Sequence, residues 1–442
     1  MKKLIFLLLL IIGIGQIFAE SNPIFPFEYE KIVLKNGFTA YLIPLDNTEQ
    51  IAYYSVVRTG SRDEWEKGHS GFAHFFEHMM FRGTKKDPGN AYDKIVTEMG
   101  ADANAYTTDD YTCYHLVFPS QYLEKVVEIE SDRFQNLSYP EPQFRTEAGA
   151  VYGEYRKGRV NPYWLIEEEL YNLAFTKHTY KHTTIGFEED IKNMPNMYDY
   201  SISFFKRYYR PENVILIMAG NINIPEAKKM IQSYYGNWEK GYVQPKIQPE
   251  PPQKEKLYKE ISYPGKTKPI MAIAYKSDAF NTDNLSYAGA HLFADLAFGQ
   301  TSELYKELVL KEQKVEFISP YFGLNRDPNL FVIFTKINEE KDIPYVKQRI
   351  LETIEQFKQN PVDIERLNSI KNHNKYSFAM RLDTPDHIAG RLARFVALTG
   401  EIESVNKWYD LLDKVTPQDI VTGVNTYFSD KNQTIILLKG RK

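Results

Sequence analysis

The stretch that decides the fold is SFFKRYYRPENVILIMAG, residues 203–220, because a second version of it, VNTYFSDKNQTIILLKG, ends the sequence at residues 424–440. Each version passes from a helical segment through a short polar turn into an apolar strand. The two versions lie about 220 positions apart in a chain of 442 residues, which is typical of an internal duplication. We therefore predict an α+β fold of two homologous domains, each a mixed, mostly antiparallel sheet packed with helices.

Domain boundaries follow from the segments outside the repeat. Residues 243–255, VQPKIQPEPPQKE, are rich in proline, glutamine and charge and offer little to bury, which indicates a linker. We predict an N-terminal domain over residues 24–240, a linker over residues 241–257 and a C-terminal domain over residues 258–442. A length of 442 residues is compatible with two or three domains.

The first 19 residues have the pattern of a secretory signal peptide. Two lysines precede an apolar run from Leu4 to Ile14, and small residues end near Ala19. An uncleaved anchor is the alternative, but the run is short for a membrane span of about 20 residues. We expect export across the inner membrane into a bacterial periplasm, with no membrane span after cleavage.

Composition narrows the possible functions. The chain is 43% apolar and 25% charged with a formal charge of −4, which is typical of a soluble globular protein and argues against a nucleic-acid partner. Cys113 is the single cysteine, so neither an internal disulfide nor a thiolate zinc cluster can form. We expect the Cys113 thiol to be buried and inert.

The N-terminal half begins with alternating apolar and polar residues. Residues 27–45 predict a β-hairpin that turns at Asn36-Gly37. The stretch GFAHFFEHMMFRG predicts a helix with Ser70 as its N-cap and its end at Gly83. Further strands are expected at residues 51–60 and on both sides of residues 107–110, and further helices at residues 91–99, 121–135, 142–159, 163–175, 198–208 and 225–235.

That helix carries a candidate metal site. His74, Glu77 and His78 fall at positions i, i+3 and i+4, so their side chains share one face. Two imidazoles one turn apart can bind one zinc ion, and a glutamate beside them can take a proton from an activated water. The alternative is a helix whose histidines are satisfied by ordinary hydrogen bonds.

Catalytic zinc commonly has three protein ligands, so a third ligand must come from elsewhere in the chain. The helix predicted at residues 142–159 offers Glu147 and Glu154, on one face but about 10 Å apart along the axis. Both cannot bind one ion. One would be the ligand and the other would orient a ligand histidine, and the spacing alone does not decide between them.

These residues resemble the inverted zinc motif, His-x-x-Glu-His, of the pitrilysin and mitochondrial-processing-peptidase family. The likeness extends through residues 60–84, residues 99–118, the glutamate helix and the duplication. The resemblance implies a zinc metalloendopeptidase with one zinc ion per chain. It implies that His74, His78 and Glu154 are the metal ligands, that Glu77 is the general base, and that Glu147 is a supporting acidic residue of the catalytic set.

The same resemblance suggests where a substrate binds. In the family, the positions of Asn104 and Ala105 lie on a sheet edge where an extended peptide adds as a further strand. Main-chain pairing of this kind tolerates many peptide sequences. A purely structural strand at residues 102–106 is the alternative that the sequence leaves open.

One part of the family pattern is missing. Single-chain relatives carry an arginine and a tyrosine seven residues apart, and the corresponding stretch here, TSELYKELVLKEQKVEFIS, has Val309 and Glu316 at those positions. The resemblance to the zinc-bearing subunits of bacterial two-subunit members implies a homologous partner subunit that carries the pair. A homodimer is the alternative arrangement.

Two other functional classes remain open at this point. A non-catalytic assembly subunit would keep the fold as a scaffold, although it has no reason to keep a base and ligands together. A zinc hydrolase acting on a non-peptide substrate is the other. His178 and His182 could suggest a second metal site, but we expect them to be surface or hydrogen-bonding residues.

Overall fold

The computed structural model describes residues 23–441, so the predicted signal peptide at residues 1–19 lies outside the described residues. The strands are β1 (Glu30–Val33), β2 (Thr39–Pro44), β3 (Gln50–Val57), β4 (Asp102–Thr107), β5 (Thr112–Pro119), β6 (Val214–Gly220), β7 (Leu257–Tyr263), β8 (Ile270–Lys276), β9 (Val315–Phe322), β10 (Leu330–Ile337) and β11 (Gln433–Gly440).

The helices are α1 (Phe72–Met79), α2 (Ala91–Glu98), α3 (Leu123–Asn136), α4 (Glu141–Gly158), α5 (Pro162–Ala174), α6 (Glu188–Asn193), α7 (Tyr198–Tyr208), α8 (Ile224–Tyr235), α9 (Leu285–Phe298), α10 (Glu303–Tyr305), α11 (Ile343–Gln359), α12 (Ile364–Ala379), α13 (Pro385–Thr399), α14 (Ser404–Lys414) and α15 (Pro417–Tyr427). No helix in residues 23–441 is long and apolar enough to cross a membrane.

The strands form two sheets with the same internal arrangement, which confirms the predicted α+β duplication. The first sheet has the order β1-β2-β6-β3-β5-β4 and the second has the order β7-β11-β8-β10-β9. In each sheet the last strand of the half inserts between one parallel and one antiparallel neighbour: β6 between β2 and β3, and β11 between β7 and β8. The first sheet adds only the hairpin strand β1.

The repeated stretch has the same local structure in both halves. Each helix, α7 and α15, ends at a tyrosine, and a short turn then enters the central strand. The Asn213 amide donates to the Tyr208 carbonyl at 2.9 Å, and the Asn432 amide donates to the Tyr427 carbonyl at 2.7 Å. An asparagine in each half therefore satisfies a carbonyl that the end of the helix leaves free.

Each sheet has one face covered by its own helices and the other covered by the opposite half. The second face of the first sheet packs Tyr54 and Ile217 into a core with Leu392 of α13. The second face of the second sheet packs Ile436 against Ile166 of α5. Strands that are apolar on both faces need this double coverage, so the two halves are held together by an exchange of helices.

The chain between the two halves is extended but anchored. From residue 238 to residue 254 it forms neither helix nor strand. The Glu250 carboxylate accepts hydrogen bonds from the backbone N–H groups of Thr176, Lys177 and His178 at 2.8–3.0 Å. It also pairs with Lys276 of β8 at 3.0 Å. The predicted linker thus contacts both halves along its path.

The start of α1 differs from the expectation. Ser70 is not the N-cap, because its hydroxyl donates to Asp190 at 2.6 Å. Gly71 occupies the cap position with φ of 92°, a left-handed conformation that favours glycine. The buried Glu64 carboxylate accepts from the N–H groups of Gly71 and Ala73 at 2.7 and 2.6 Å, and so supplies the cap from a distant position.

Helix exchange between the halves predicts a large stability difference between two Ile→Ala variants. Ile166 on α5 is fully buried against the second sheet, whereas Ile364 at the start of α12 is 50% exposed. We expect Ile166→Ala to lower the free energy of unfolding by about 2–5 kcal/mol and Ile364→Ala to change it by about 0.5 kcal/mol or less. Urea unfolding measures both, and equal effects would contradict the reciprocal packing.

Candidate metal centre

Helix α1 is amphipathic, and burial of its apolar face in the core fixes the direction of its polar face. Phe72, Phe75, Phe76 and Met79 are buried, whereas His74, Glu77 and His78 are half-buried on the other face. Phe75 meets Phe144 of α4 edge to face, with ring centroids 5.1 Å apart. This aromatic contact brings α1 and α4 together and places the polar face of α1 beside the glutamates of α4.

Three side chains converge between these helices. One ligand atom from each of His74, His78 and Glu154 lies within 4.8 Å of the other two. The Glu154 carboxylate is 3.5 Å from His74 Nε2 and 3.6 Å from His78 Nε2. Ligand atoms around a tetrahedral zinc ion, with bonds of about 2.0–2.1 Å, lie about 3.3–3.4 Å apart, so the three residues fit zinc. No second group of this kind is found among residues 23–441.

The imidazoles are in an environment that suits metal ligands. Burial, with a contribution from the neighbouring His78, lowers the pKa of His74 to about 4, so His74 is neutral at pH 7. A neutral imidazole is the form that binds metal. The Glu147 carboxylate beside Nδ1 raises the pKa of His78.

The second glutamate of α4 contacts the other side of His78. The Glu147 carboxylate lies 3.6 Å from His78 Nδ1, and it forms an ion pair with Arg82 at 2.7 Å. Because Nδ1 faces Glu147, Nε2 is left free to face Glu154. The spacing of seven residues places Glu154 with the ligand nitrogens and Glu147 behind them, a division that the sequence alone did not assign. Arg82, which sequence reasoning did not identify, lies four positions after His78 and holds Glu147.

Glu77 is not part of the ligand group but lies beside it. Its carboxylate accepts a hydrogen bond from the Thr107 hydroxyl at 2.6 Å. Burial raises the pKa of Glu77, and the bond from Thr107 opposes that rise. Thr107 ends strand β4, so this contact links the carboxylate to the edge of the first sheet. The sequence predicted Thr107 in a turn and did not identify it as a site residue.

The predicted substrate-binding residues, Asn104 and Ala105, lie beside the candidate metal centre. Strand β4 is the last strand of the first sheet and pairs only with β5 among the described strands, so its other edge is open. Asn104 and Ala105 of β4 line a cavity of about 500 Å³ together with Glu77 and His78. An open strand edge beside a candidate metal centre can receive an extended peptide.

Val309 and Glu316, the positions where the resemblance leads us to expect an arginine and a tyrosine, have ordinary structural surroundings. Val309 is half-buried and packs against the main core of the second half. Glu316 lies on β9 and forms ion pairs with Lys268 and Lys336 at 2.7 and 2.8 Å. Neither side chain can donate a hydrogen bond to a developing negative charge.

The two loop histidines are hydrogen-bonding residues, which is one of the two expected alternatives, and neither lies on the surface. His178 and His182 are buried, and His178 Nε2 lies 2.9 Å from Asp327 in the second half. Buried aromatic neighbours such as Tyr180 surround His178, which a loop sequence does not reveal. Cys113 is a buried free thiol, and burial raises its pKa to about 12, so it is unreactive.

The fold and the ligand group together define the class of protein, which is a duplicated α+β protein with a candidate metal centre between α1 and α4. The model of the insulinase family, peptidase family M16, matches residues 42–187, and the model of the peptidase M16 inactive domain matches residues 198–374. The chain belongs to peptidase family M16.

Individual relatives agree with this family over nearly the whole chain. A zinc protease of Helicobacter pylori, PqqE, is 28% identical over 418 residues, which cover 93% of each chain. The crystal structure of a protease from Helicobacter pylori superposes with a TM-score of 0.87 at 25% identity, covering 93% of this chain and 100% of that one. The periplasmic protease PqqL from Escherichia coli shares the fold, with a TM-score of 0.77 at 18% identity over 93% of this chain and 48% of its own.

The contact between Glu147 and His78 predicts that a variant outside the ligand group weakens metal binding. We expect Glu147→Gln to lower zinc affinity about 10- to 100-fold, because the amide no longer holds His78 as a carboxylate does. Glu141→Gln, on the same helix but paired only with the exposed Arg145, should leave the affinity unchanged. Competition with a chromophoric chelator measures the zinc affinity of both variants. Equal affinities would show that Glu147 does not support the metal ligands.

Proposed function

We propose that the chain is a zinc metalloendopeptidase that hydrolyses unfolded peptides or short proteins. The single observation that carries the proposal is the convergence of His74, His78 and Glu154 beside Glu77 and an open strand edge. The zinc protease PqqE of Helicobacter pylori, similar over nearly its full length, supports the same activity. One zinc ion per chain would be held by the two histidines and Glu154.

Glu77 would be the general base of the reaction. Zinc, when bound, supplies the Lewis acidity that activates water and polarises the scissile carbonyl. Glu77 takes the proton of the attacking water and later delivers it to the leaving amine. Its hydrogen bond from Thr107 holds the carboxylate toward the cavity, where the proton is transferred. Glu147 keeps His78 in the orientation and tautomer that the ligand group needs.

Substrate would bind as an added strand along β4. The peptide pairs through its main chain with the open edge that contains Asn104 and Ala105, and its scissile bond then reaches Glu77 in the same cavity. Main-chain pairing requires an extended, unfolded segment. It therefore selects for unfolded peptides and accepts many side chains.

If Glu77 is the general base, its substitution should greatly reduce catalysis and leave metal binding intact. We expect Glu77→Gln to reduce peptide hydrolysis about 10²- to 10⁴-fold, because glutamine cannot accept the proton, while zinc content stays at one ion per chain. Glu98→Gln, an exposed glutamate of α2, is the matched control and should keep full activity. Hydrolysis of a mixture of unfolded peptides is the assay. A fully active Glu77→Gln variant would exclude Glu77 as the base.

The enzyme would act as the zinc-bearing subunit of a hetero-oligomer. Val309 and Glu316 stand where an oxyanion-contacting arginine and tyrosine would be needed, and neither can serve. A homologous subunit that carries the pair would complete the site. A homodimer of this chain is the alternative, and it would leave the pair absent.

This assembly predicts a rate difference between the chain alone and the chain in its complex. A donor aimed at the developing oxyanion is worth roughly 10²- to 10³-fold in rate. We expect the tagged chain purified from its own cells to carry a homologous subunit and to exceed the separately produced chain by about that factor in kcat/KM, at equal zinc content. Equal rates for the two preparations would show that no partner is required.

The enzyme would be exported to the periplasm. The pattern of residues 1–19 supports secretion across the inner membrane. The Escherichia coli relative PqqL is a periplasmic protease, which agrees with that location. Unfolded polypeptides in that compartment would be the substrates.

A further inference from the structure

The duplication gives the second half a counterpart of the candidate metal centre. In the first half, α1 follows strand β3 and packs against α4; in the second half, α9 follows β8 and packs against α12. A cavity of about 330 Å³ lies at this second location, lined in part by Pro320 and Phe322 of β9. Strand β9 occupies the edge of the second sheet as β4 occupies the edge of the first.

The residues of this second cavity follow the same spacing as the metal ligands. His291 and Asp295 of α9 are four positions apart, as His74 and His78 are on α1. Asn374 of α12 donates to Asp295 at 3.2 Å, in the way that Glu147 contacts His78. The residue seven positions after Asn374 is Arg381, where the first half has Glu154.

Arginine in place of the glutamate ligand changes what the cavity can bind. A guanidinium cannot coordinate a cation, and it attracts an anion instead. A second arginine, Arg391 of α13, lines the same cavity. Burial and the charge of Arg381 lower the pKa of Arg391.

Both arginines lack a carboxylate partner in the described part of the chain. Within residues 23–441, neither Arg381 nor Arg391 forms an ion pair or a side-chain hydrogen bond. Most other partly buried arginines here do: Arg62, for example, pairs with Asp63 and Asp327 at 2.8 and 2.6 Å. Two like charges that line one cavity, neither of them paired with a carboxylate, favour an anionic ligand.

The other residues that line this cavity indicate which kind of anion fits it. Phe322, Phe378 and Trp408 line the cavity, so an apolar group can be buried beside the charge. The Asp295 carboxyl lines the same space, and its charge disfavours a dianion such as phosphate more than a monoanion such as a carboxylate. A planar carboxylate matches the fork of a guanidinium, and a volume of about 330 Å³ suits a ligand the size of one large residue.

His291 adds a polar atom without a partner. Its Nε2 is buried and makes no hydrogen bond within residues 23–441. Burial lowers the pKa of His291 to about 3, so the ring is neutral and can donate or accept one further hydrogen bond. The cavity therefore combines two cationic groups, an aromatic wall and an unsatisfied imidazole nitrogen.

We propose that this cavity binds the carboxylate of a compound with a large apolar side chain, either a free amino-acid derivative or the C-terminal residue of a peptide. Arg381 and Arg391 hold the carboxylate, and the aromatic wall covers the apolar group. The site is separate from the candidate metal centre. It does not depend on the proposed hydrolysis.

Calorimetric titration of the full chain tests this site without any catalytic readout. The probe is N-acetyl-L-phenylalanine, and its neutral amide, N-acetyl-L-phenylalaninamide, is the matched control ligand. We expect the acid to bind at least about tenfold more tightly than the amide, because the charge-assisted hydrogen bonds are lost in the amide. Equal affinities of the acid and the amide would overturn the proposal, and so would the absence of binding at millimolar concentration by both the acid and the peptide titrated below.

Substitution of the two cavity arginines tests whether the acid binds in this cavity. Arg381 is exposed, so Arg381→Gln should fold normally, and we expect it to weaken binding of the acid about tenfold or more. Arg391→Gln should do the same, while Arg145→Gln, an exposed arginine on α4, should have no effect. Circular dichroism checks the fold of each variant. Unchanged binding in both cavity variants would place the ligand elsewhere.

A peptide distinguishes the two sources of the carboxylate. Tetra-alanyl-phenylalanine is titrated into the Glu77→Gln variant, so that hydrolysis does not consume it. Tighter binding than that of N-acetyl-L-phenylalanine identifies a peptide end as the ligand only if Arg381→Gln, added to Glu77→Gln, removes it, because peptide bound along β4 would not respond to Arg381. Equal binding identifies the single residue. Failure of the peptide and the amino-acid derivative together would remove the site, and it would leave the proposed peptidase activity untouched.

Discussion

The structure depends on one constraint: the central strands of both sheets are buried on both faces, and each half covers one face of its own sheet while the other half covers the second face. Helix α13 of the second half covers the first sheet, and helix α5 of the first half covers the second. This exchange fixes the position of the helix that precedes each covering helix. Helix α4, which carries both glutamates of the candidate metal centre, leads directly into α5, so the interface between the halves also helps to position that centre.

Within that frame, the candidate site is made by two helices whose apolar faces are buried and whose polar faces meet. The contact of Phe75 with Phe144 sets the distance between α1 and α4. A seven-residue interval on α4 then gives its two glutamates different roles, since one faces the free nitrogens of the histidines and the other faces Nδ1 of His78. In the second half, Arg381 stands seven positions after Asn374, the interval that separates Glu154 from Glu147, and an arginine cannot bind a metal ion; the described residues accordingly offer one candidate metal group.

The sequence predicted much of this because the decisive signals are local. The repeat at residues 203–220 and 424–440 indicated the duplication, and the spacing of His74 and His78 indicated a shared helix face. The roles of Glu147 and Glu154 could not be separated from spacing alone, since that choice depends on how α4 docks against α1. Thr107 and Arg82 were missed because their contacts cross between elements. The capping of α1 by Glu64 and the burial of His178 were missed for the same reason. The periodicity of a sequence does not show which distant segment of the chain covers a helix end or a loop.

The most direct test of the central claim is anomalous diffraction at the zinc edge from crystals of the zinc-loaded chain. We expect one strong peak per chain, about 2.0–2.2 Å from Nε2 of His74, Nε2 of His78 and a carboxylate oxygen of Glu154, with Glu147 outside bonding distance. A peak at any other residues, or a peak at the histidines with Glu147 as the third ligand, would contradict this assignment of the metal centre.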